Sequence, residues 1–143
     1  DPLLASKMPP HPSQKEEALR RQKTTRAARF ALARLGDKQA FDDFIAGLSE
    51  KDPRWRVACV KTLGEIGSEA AIPALIPLLD DNLTPSETRV AGRFRPLSDV
   101  VVDALAAIAP QAGRRIETQW RQGDPRSLQE LWKDWWRSQS VRH

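Results

Sequence analysis

The segment from Arg54 to Asp81, RWRVACVKTLGEIGSEAAIPALIPLLDD, reuses a pattern that the chain has already written once upstream. Leu63, Ile66, Gly67, Ala71, Ile72, Leu75, Ile76 and Leu79 each follow a similar residue by 31 positions: Leu32, Leu35, Gly36, Ala40, Phe41, Phe44, Ile45 and Leu48. Self-similarity at such a period marks a two-helix unit that cannot hide its apolar stripe alone and so stacks on its neighbours. The expected fold is therefore all-α, a short α-solenoid of about three helix pairs. Leu105 follows Leu63 by 42 residues, which gives the third unit an insertion of 11.

Local signals place the elements. Residues 1–12 carry four prolines and no apolar period, and read as an extended or disordered arm. A single domain then covers 13–143, with units at about 13–50, 51–82 and 96–122. Ser13 and Glu16 form a capping box for a first helix whose inward positions are Leu19, Ala27, Ala28, Ala31, Leu32 and Leu35, with Gly36 ending it. Phe41, Phe44, Ile45 and Leu48 give the second helix, about 38–49, its i, i+3, i+4, i+7 face. Asp52 and Pro53 open the third helix, which runs to about Ile66. Ser68 or Glu69 caps the fourth, where Pro73 is tolerable and Pro77 should bend or shorten the helix. The insertion at 82–95 is expected to hold one short helical turn capped by Thr84, Pro85 and Glu87, with no strand anywhere in the chain. A helix over 97–109 buries Val101, Leu105 and Ile108 and stops at Pro110. After a helix through Ile116 and Trp120 and a turn at Gly123, Asp124 and Pro125 introduce the last helix, 124–139. Its Leu128, Leu131, Trp132, Trp135 and Trp136 share one stripe, which reads as a cap on the end of the stack. Its alternative is an exposed aromatic platform flanked by Arg121, Arg126 and Arg137.

Several chemistries lack the residues they need. The two histidines, His11 and His143, lie in the arm and at the terminus, so neither has a rigid element to hold a general base. One cysteine allows no internal disulfide, and Cys59 among Val57, Ala58 and Val60 reads as a small buried hydrophobe. No zinc-ligand set and no phosphate-cradling glycine motif occurs. Adjacent Asp42 and Asp43 read as solvated charge. The expectation is a non-enzyme with no catalytic residues, no metal and no cofactor. No run of about 18 apolar residues is present, so no membrane span is expected. A start at Asp1 fits a trimmed form, and both cytoplasm and export fit the composition.

Here the residues carry a resemblance. WRVACVKTLGEIGSEAAIPALIPLLDD resembles a HEAT-like repeat of the type found in phycobilisome bilin lyases, and RAARFALARLGDKQAFDDFIAGL resembles a second copy. PLSDVVVDALAAIAP is similar to the first helix of a third, with Ala106 and Ala109 where the middle unit has Gly64 and Gly67. The likeness covers about 24–120 and contains no bilin-attachment motif. It implies surfaces for binding protein, a bacterial source, and a concave face lined by the second helix of each pair. On that face stand Asp42, Asp43 and Ala46, then Pro73, Ala74 and Pro77, then Arg115 and Gln119.

Charge is segregated along the chain. Residues 15–38 carry a net +5, residues 39–88 a net −5, and residues 89–143 a net +4. An acidic middle between basic ends does not make the continuous cationic strip that follows a phosphate backbone. It suits a protein partner, or attraction between copies of the chain. The expected function is a scaffold for protein–protein interaction, as an accessory of a larger assembly. The alternative is a nucleic-acid-binding module using Arg20, Arg21, Lys23, Arg26 and Arg29 of the first helix. Arg89, Arg93 and Arg95 of the insertion, with Arg114, are the candidate anion or partner contacts.

Overall fold

The computed structural model describes residues 14, 25, 27–82, 84–90 and 92–141, with the backbone alone for 86–90, 140 and 141. The arm at 1–12, the capping box at Ser13 and Glu16, and Leu19 lie outside the described residues.

Helix α1 (27–34) turns into α2 (Lys38–Gly47) through Gly36, whose φ is +96°. The Gly36 amide donates to the Ala33 carbonyl and the Asp37 amide to the Leu32 carbonyl, a Schellman closure that a left-handed glycine makes possible. Gly67, also left-handed at φ +76°, closes α3 (Pro53–Ile66) with the simpler single bond, its amide donating to the Leu63 carbonyl. The two glycines thus occupy equivalent corners, as the 31-residue period requires. The caps that follow are equally local. Asp37 Oδ1 accepts from the Ala40 amide at 2.8 Å, Asp52 Oδ1 from the Arg54 amide at 3.0 Å, and Ser68 Oγ from the Ala70 amide at 3.3 Å. Pro53 takes the first helical position of α3, where its missing N–H costs nothing.

The second helix of unit two is broken as its prolines demand. A 3-10 turn at Glu69–Ala71 leads into α4 (Ile72–Leu75), and a second 3-10 stretch runs over Ile76–Asp80, beginning one residue before Pro77. Helices α5 (Leu97–Ile108), α6 (Pro110–Arg121) and α7 (Leu128–Val141) complete the described chain. Pro110 does not merely stop α5. It opens α6 directly, and Ala109 before it is forced out of helical geometry to φ −124°, ψ 73°. The last helix is likewise not introduced by Asp124 and Pro125: Ser127 Oγ accepts from the Glu130 amide, so the cap lies at Ser127.

The insertion corrects a second expectation. In place of a helical turn it forms an antiparallel hairpin, β1 (Pro85–Val90) and β2 (Arg93–Pro96), with Val90 opposite Arg93 and Gly92 just before β2 at φ +77°. Thr88, Val90 and Phe94 supply strand-forming side chains on either side of the Ala91–Gly92 pair, and that was the sequence signal for a hairpin. Its ends meet. Leu97 donates its amide to the Thr84 carbonyl at 2.7 Å and Ser98 to the Asp81 carbonyl at 2.9 Å, while the buried Ser98 Oγ donates to Asn82 Oδ1. These carbonyls satisfy the open N–H groups at the start of α5, which otherwise has no side-chain cap. The solenoid therefore passes from unit two to unit three as if the hairpin were absent, which is why the period recovers after it.

The core runs through the stack. Leu63, Leu75, Leu97, Val101 and Leu105 are fully buried, with Phe44 and Leu48 at the first unit and Ile108 and Ile116 at the third. Helices α3 and α5, the first helices of units two and three, lie side by side. A Cβ on Gly64 would sit 3.0 Å from both Cα and Cβ of Ala104, so glycine sets how near these helices come. Cys59 is buried between Val57 and Val60.

Unit one does not follow its alignment. Leu32 is 46% exposed and Leu35 85%, and Ala27, Ala28 and Ala31 are exposed too, while Ala33 and half-buried Phe30 make the inward contacts of α1. Leu63, the counterpart of Leu32, is covered because α3 has α2 on one side and α5 on the other. Unit one stands at the end of the described stack, so the repeat position persists in sequence without the neighbour that would bury it.

Candidate protein-binding surface

Most of the residues expected on the concave face are clear of the core. Asp42, Ala46, Pro73, Pro77, Arg115 and Gln119 are exposed; Asp43 is half-buried, held by Arg29 Nε at 3.6 Å and by Gln39 Nε2 at 3.1 Å. They do not form one uninterrupted row. Helix α7 packs against the Ile76–Asp80 stretch, α5 and α6 together, so it stands between the second helix of unit two and α6. Lys133 of α7 is ion-paired with Asp80, and Gln129 Nε2 donates to Asp99 Oδ1 on α5 at 2.8 Å. The helix expected to cover the end of the stack does so by packing on both helices of the third unit and on the Ile76–Asp80 stretch of the second. Trp132 is 1% exposed with its ring against Gly113, Leu131 is 4% exposed, and Trp135 meets Trp132 edge-on at 5.4 Å. Only part of the stripe reaches solvent, through half-buried Leu128, Trp135 and Trp136.

This packing creates a groove of about 300 Å³ between α6 and α7. Ala112, Ile116, Leu131 and Trp135 line it, and Arg115 and Gln119 stand at its rim. The sequence placed Arg115 and Gln119 at a binding face but not Trp135 or Asp134 beside them, because the i, i+4 stripe of α7 says nothing about which helix it meets.

At the mouth of the groove is a closed charge network. Asp124 accepts from the Arg126 amide at 2.9 Å, from its Nε and Nη2 at 3.0 and 2.8 Å, and from Gln119 Nε2 at 2.8 Å. Arg126 Nη1 reaches Asp134 at 2.6 Å, and Arg137 reaches the other oxygen of Asp134 at 2.9 Å. The Arg126 guanidinium holds the Asp124 carboxyl well below the usual carboxylate range, and Arg126 is raised in return. A carboxylate with a lowered folded-state pKa adds stability above its unfolded value of about 4 and loses that contribution as pH falls further. Urea midpoints measured from neutral pH into acid should fall below about pH 4 for the wild type. Asp124→Asn should start lower at neutral pH and fall less steeply in acid; parallel curves would contradict the assignment.

The insertion arginines have different fates. Arg95 donates to Asp103 at 2.7 Å and to the Asp99 carbonyl at 3.2 Å, with its Nε 4.0 Å from the Asp99 carboxylate, so it pins the hairpin to α5. Two neighbouring grooves, of about 350 and 210 Å³, meet at this Arg95–Asp103 pair, the first bordered by half-exposed Trp120. Arg93 and Arg114 are exposed, and the backbone of Arg89 pairs with Phe94. In the basic first helix, Arg29 is engaged by Asp43 and Arg34 lies over the Phe30 ring at 5.6 Å. Arg20, Arg21, Lys23 and Arg26 lie outside the described residues. Among the described residues no group of three or more His, Cys, Asp and Glu is placed to hold a metal, and no helix is long and apolar enough to cross a membrane.

Paired helices with equivalent glycine corners and first helices stacked side by side define an all-α solenoid. The family model for HEAT repeats matches residues 16–92, more than half of the chain, and the chain belongs to the HEAT-repeat family. The match covers the first two units and the first strand of the hairpin, does not single out the bilin-lyase type, and ends before β2 and α5, where the stack nonetheless continues. No curated protein and no solved structure matches the chain.

Proposed function

We propose that this chain is a non-enzymatic HEAT-repeat scaffold that binds another protein, as an accessory subunit of a larger assembly. The observation that supports it best is the release of the second-helix residues from the core: Asp42, Ala46, Pro73, Pro77, Arg115 and Gln119 all remain exposed while the helices that carry them are anchored by buried Phe44, Ile72, Leu75 and Ile116. A rigid frame presenting acidic, flat apolar and basic stretches in turn suits a protein surface of mixed charge. HEAT repeats are commonly scaffolds for protein interaction, which agrees. Affinity capture on the full chain tests the reading, alongside Asp42→Lys combined with Pro73→Glu, whose helicity should match the wild type. A stoichiometric partner retained by the wild type and lost by the variant is the expected result. A chain that stays monomeric and captures nothing, or captures equally in both forms, would overturn it.

A further inference from the structure

Resting on that reading, we propose that the groove between α6 and α7 receives an acidic amphipathic segment of the partner, with an aliphatic side chain on its floor and a carboxylate against Arg115. The floor is apolar and mostly buried: Ala112 and Ile116 are 6% exposed and Leu131 4%, while Trp135, braced edge-on by Trp132, offers its remaining surface. About 300 Å³ lies at the lower end of the range for ligand sites, enough for one or two side chains of a docked helix or extended segment.

The charge balance selects the occupant. Every carboxylate at the groove is committed, Asp134 to Arg126 and Arg137, and Asp124 to Arg126 and Gln119. Arg115 has no hydrogen-bond or ion-pair partner among the described residues, and neighbouring Arg114 has none either. The uncommitted charge is thus positive, and a cationic segment would meet like charge with nothing to answer it. Gln119 is oriented as well. Its amide nitrogen is taken by Asp124, which leaves the carbonyl oxygen to accept a peptide N–H.

Two labelled synthetic peptides test this by fluorescence anisotropy on the full chain: an amphipathic helix former of leucine and glutamate, and the same sequence with lysine for glutamate. The glutamate peptide should bind saturably and lose at least about tenfold in affinity with Arg115→Glu, since attraction becomes repulsion in a partly desolvated site. Arg54→Glu, at an exposed arginine in the first turn of α3, should leave binding unchanged. No saturable binding of the glutamate peptide, equal binding of the lysine peptide, or unchanged affinity in Arg115→Glu would overturn the assignment. The affinity capture separates the two levels: a partner held equally well by Arg115→Glu leaves the scaffold standing and removes the groove, whereas no partner at all removes the scaffold.

Discussion

Trp132→Ala is expected to cost about 3–5 kcal/mol of unfolding free energy, the range for deleting a large buried aromatic. The ring is 1% exposed and lies where α5, α6 and α7 converge, against Gly113 and edge-on to Trp135. Its removal leaves a void that rigid neighbours cannot close, and it undoes the apolar anchor of α7. Against a typical total of about 5–15 kcal/mol this is a large share of the stability. Urea titration should show a lower midpoint with little change in slope for the folded variant. Trp120→Ala is the comparison, because Trp120 is 44% exposed and should cost far less. Equal losses from the two substitutions would mean that α7 does not pack where the burial places it.

The second large effect is expected at Gly64. A Cβ there would stand 3.0 Å from the Cα of Ala104, and a backbone atom, unlike a side-chain tip, cannot swing away. Gly64→Leu should therefore force α3 and α5 apart and cost about 1–3 kcal/mol from overpacking, larger than the helix propensity of about 1 kcal/mol that replacing glycine returns. Lys61→Leu, on the exposed side of the same helix, should stay within about 0.5 kcal/mol of the wild type. Denaturant midpoints for the two variants check this directly. A Gly64→Leu chain as stable as the parent would show that units two and three are not held at this spacing.

What the sequence made legible was what short-range chemistry decides. Helix α3 begins and ends where Asp52, Pro53 and Gly67 say it must, because a cap and a left-handed glycine act within one turn. Pro77 broke its helix for the same local reason. The 31-residue period carried the HEAT-like architecture, since equivalent glycines imply equivalent corners. The features that needed long-range partners were less visible. Leu32 and Leu35 repeat the pattern of Leu63 and Ile66, yet burial depends on a flanking helix, and among the described residues none stands on the outer side of α1. The hairpin was missed because Thr84, Pro85 and Glu87 imitate a helix start, although the side chains around Ala91–Gly92 favoured strands. The seat of α7 was invisible for another reason: periodicity identifies the apolar face of a helix but not the helices it will meet. That seat makes the groove beside Arg115, so the candidate site was legible in two of its residues and not in its shape.

The placement of α7 as an integral part of the third unit is tested most directly by amide hydrogen exchange on the intact chain, followed by mass spectrometry of its peptides. Protection across Leu128–Val141 comparable to that of Pro53–Ile66 and Leu97–Ile108, lost together as denaturant is added, is the expected result. Rapid exchange through Leu131 to Trp136 while α3 and α5 stay protected would contradict it, and the groove between α6 and α7 would then have no fixed wall.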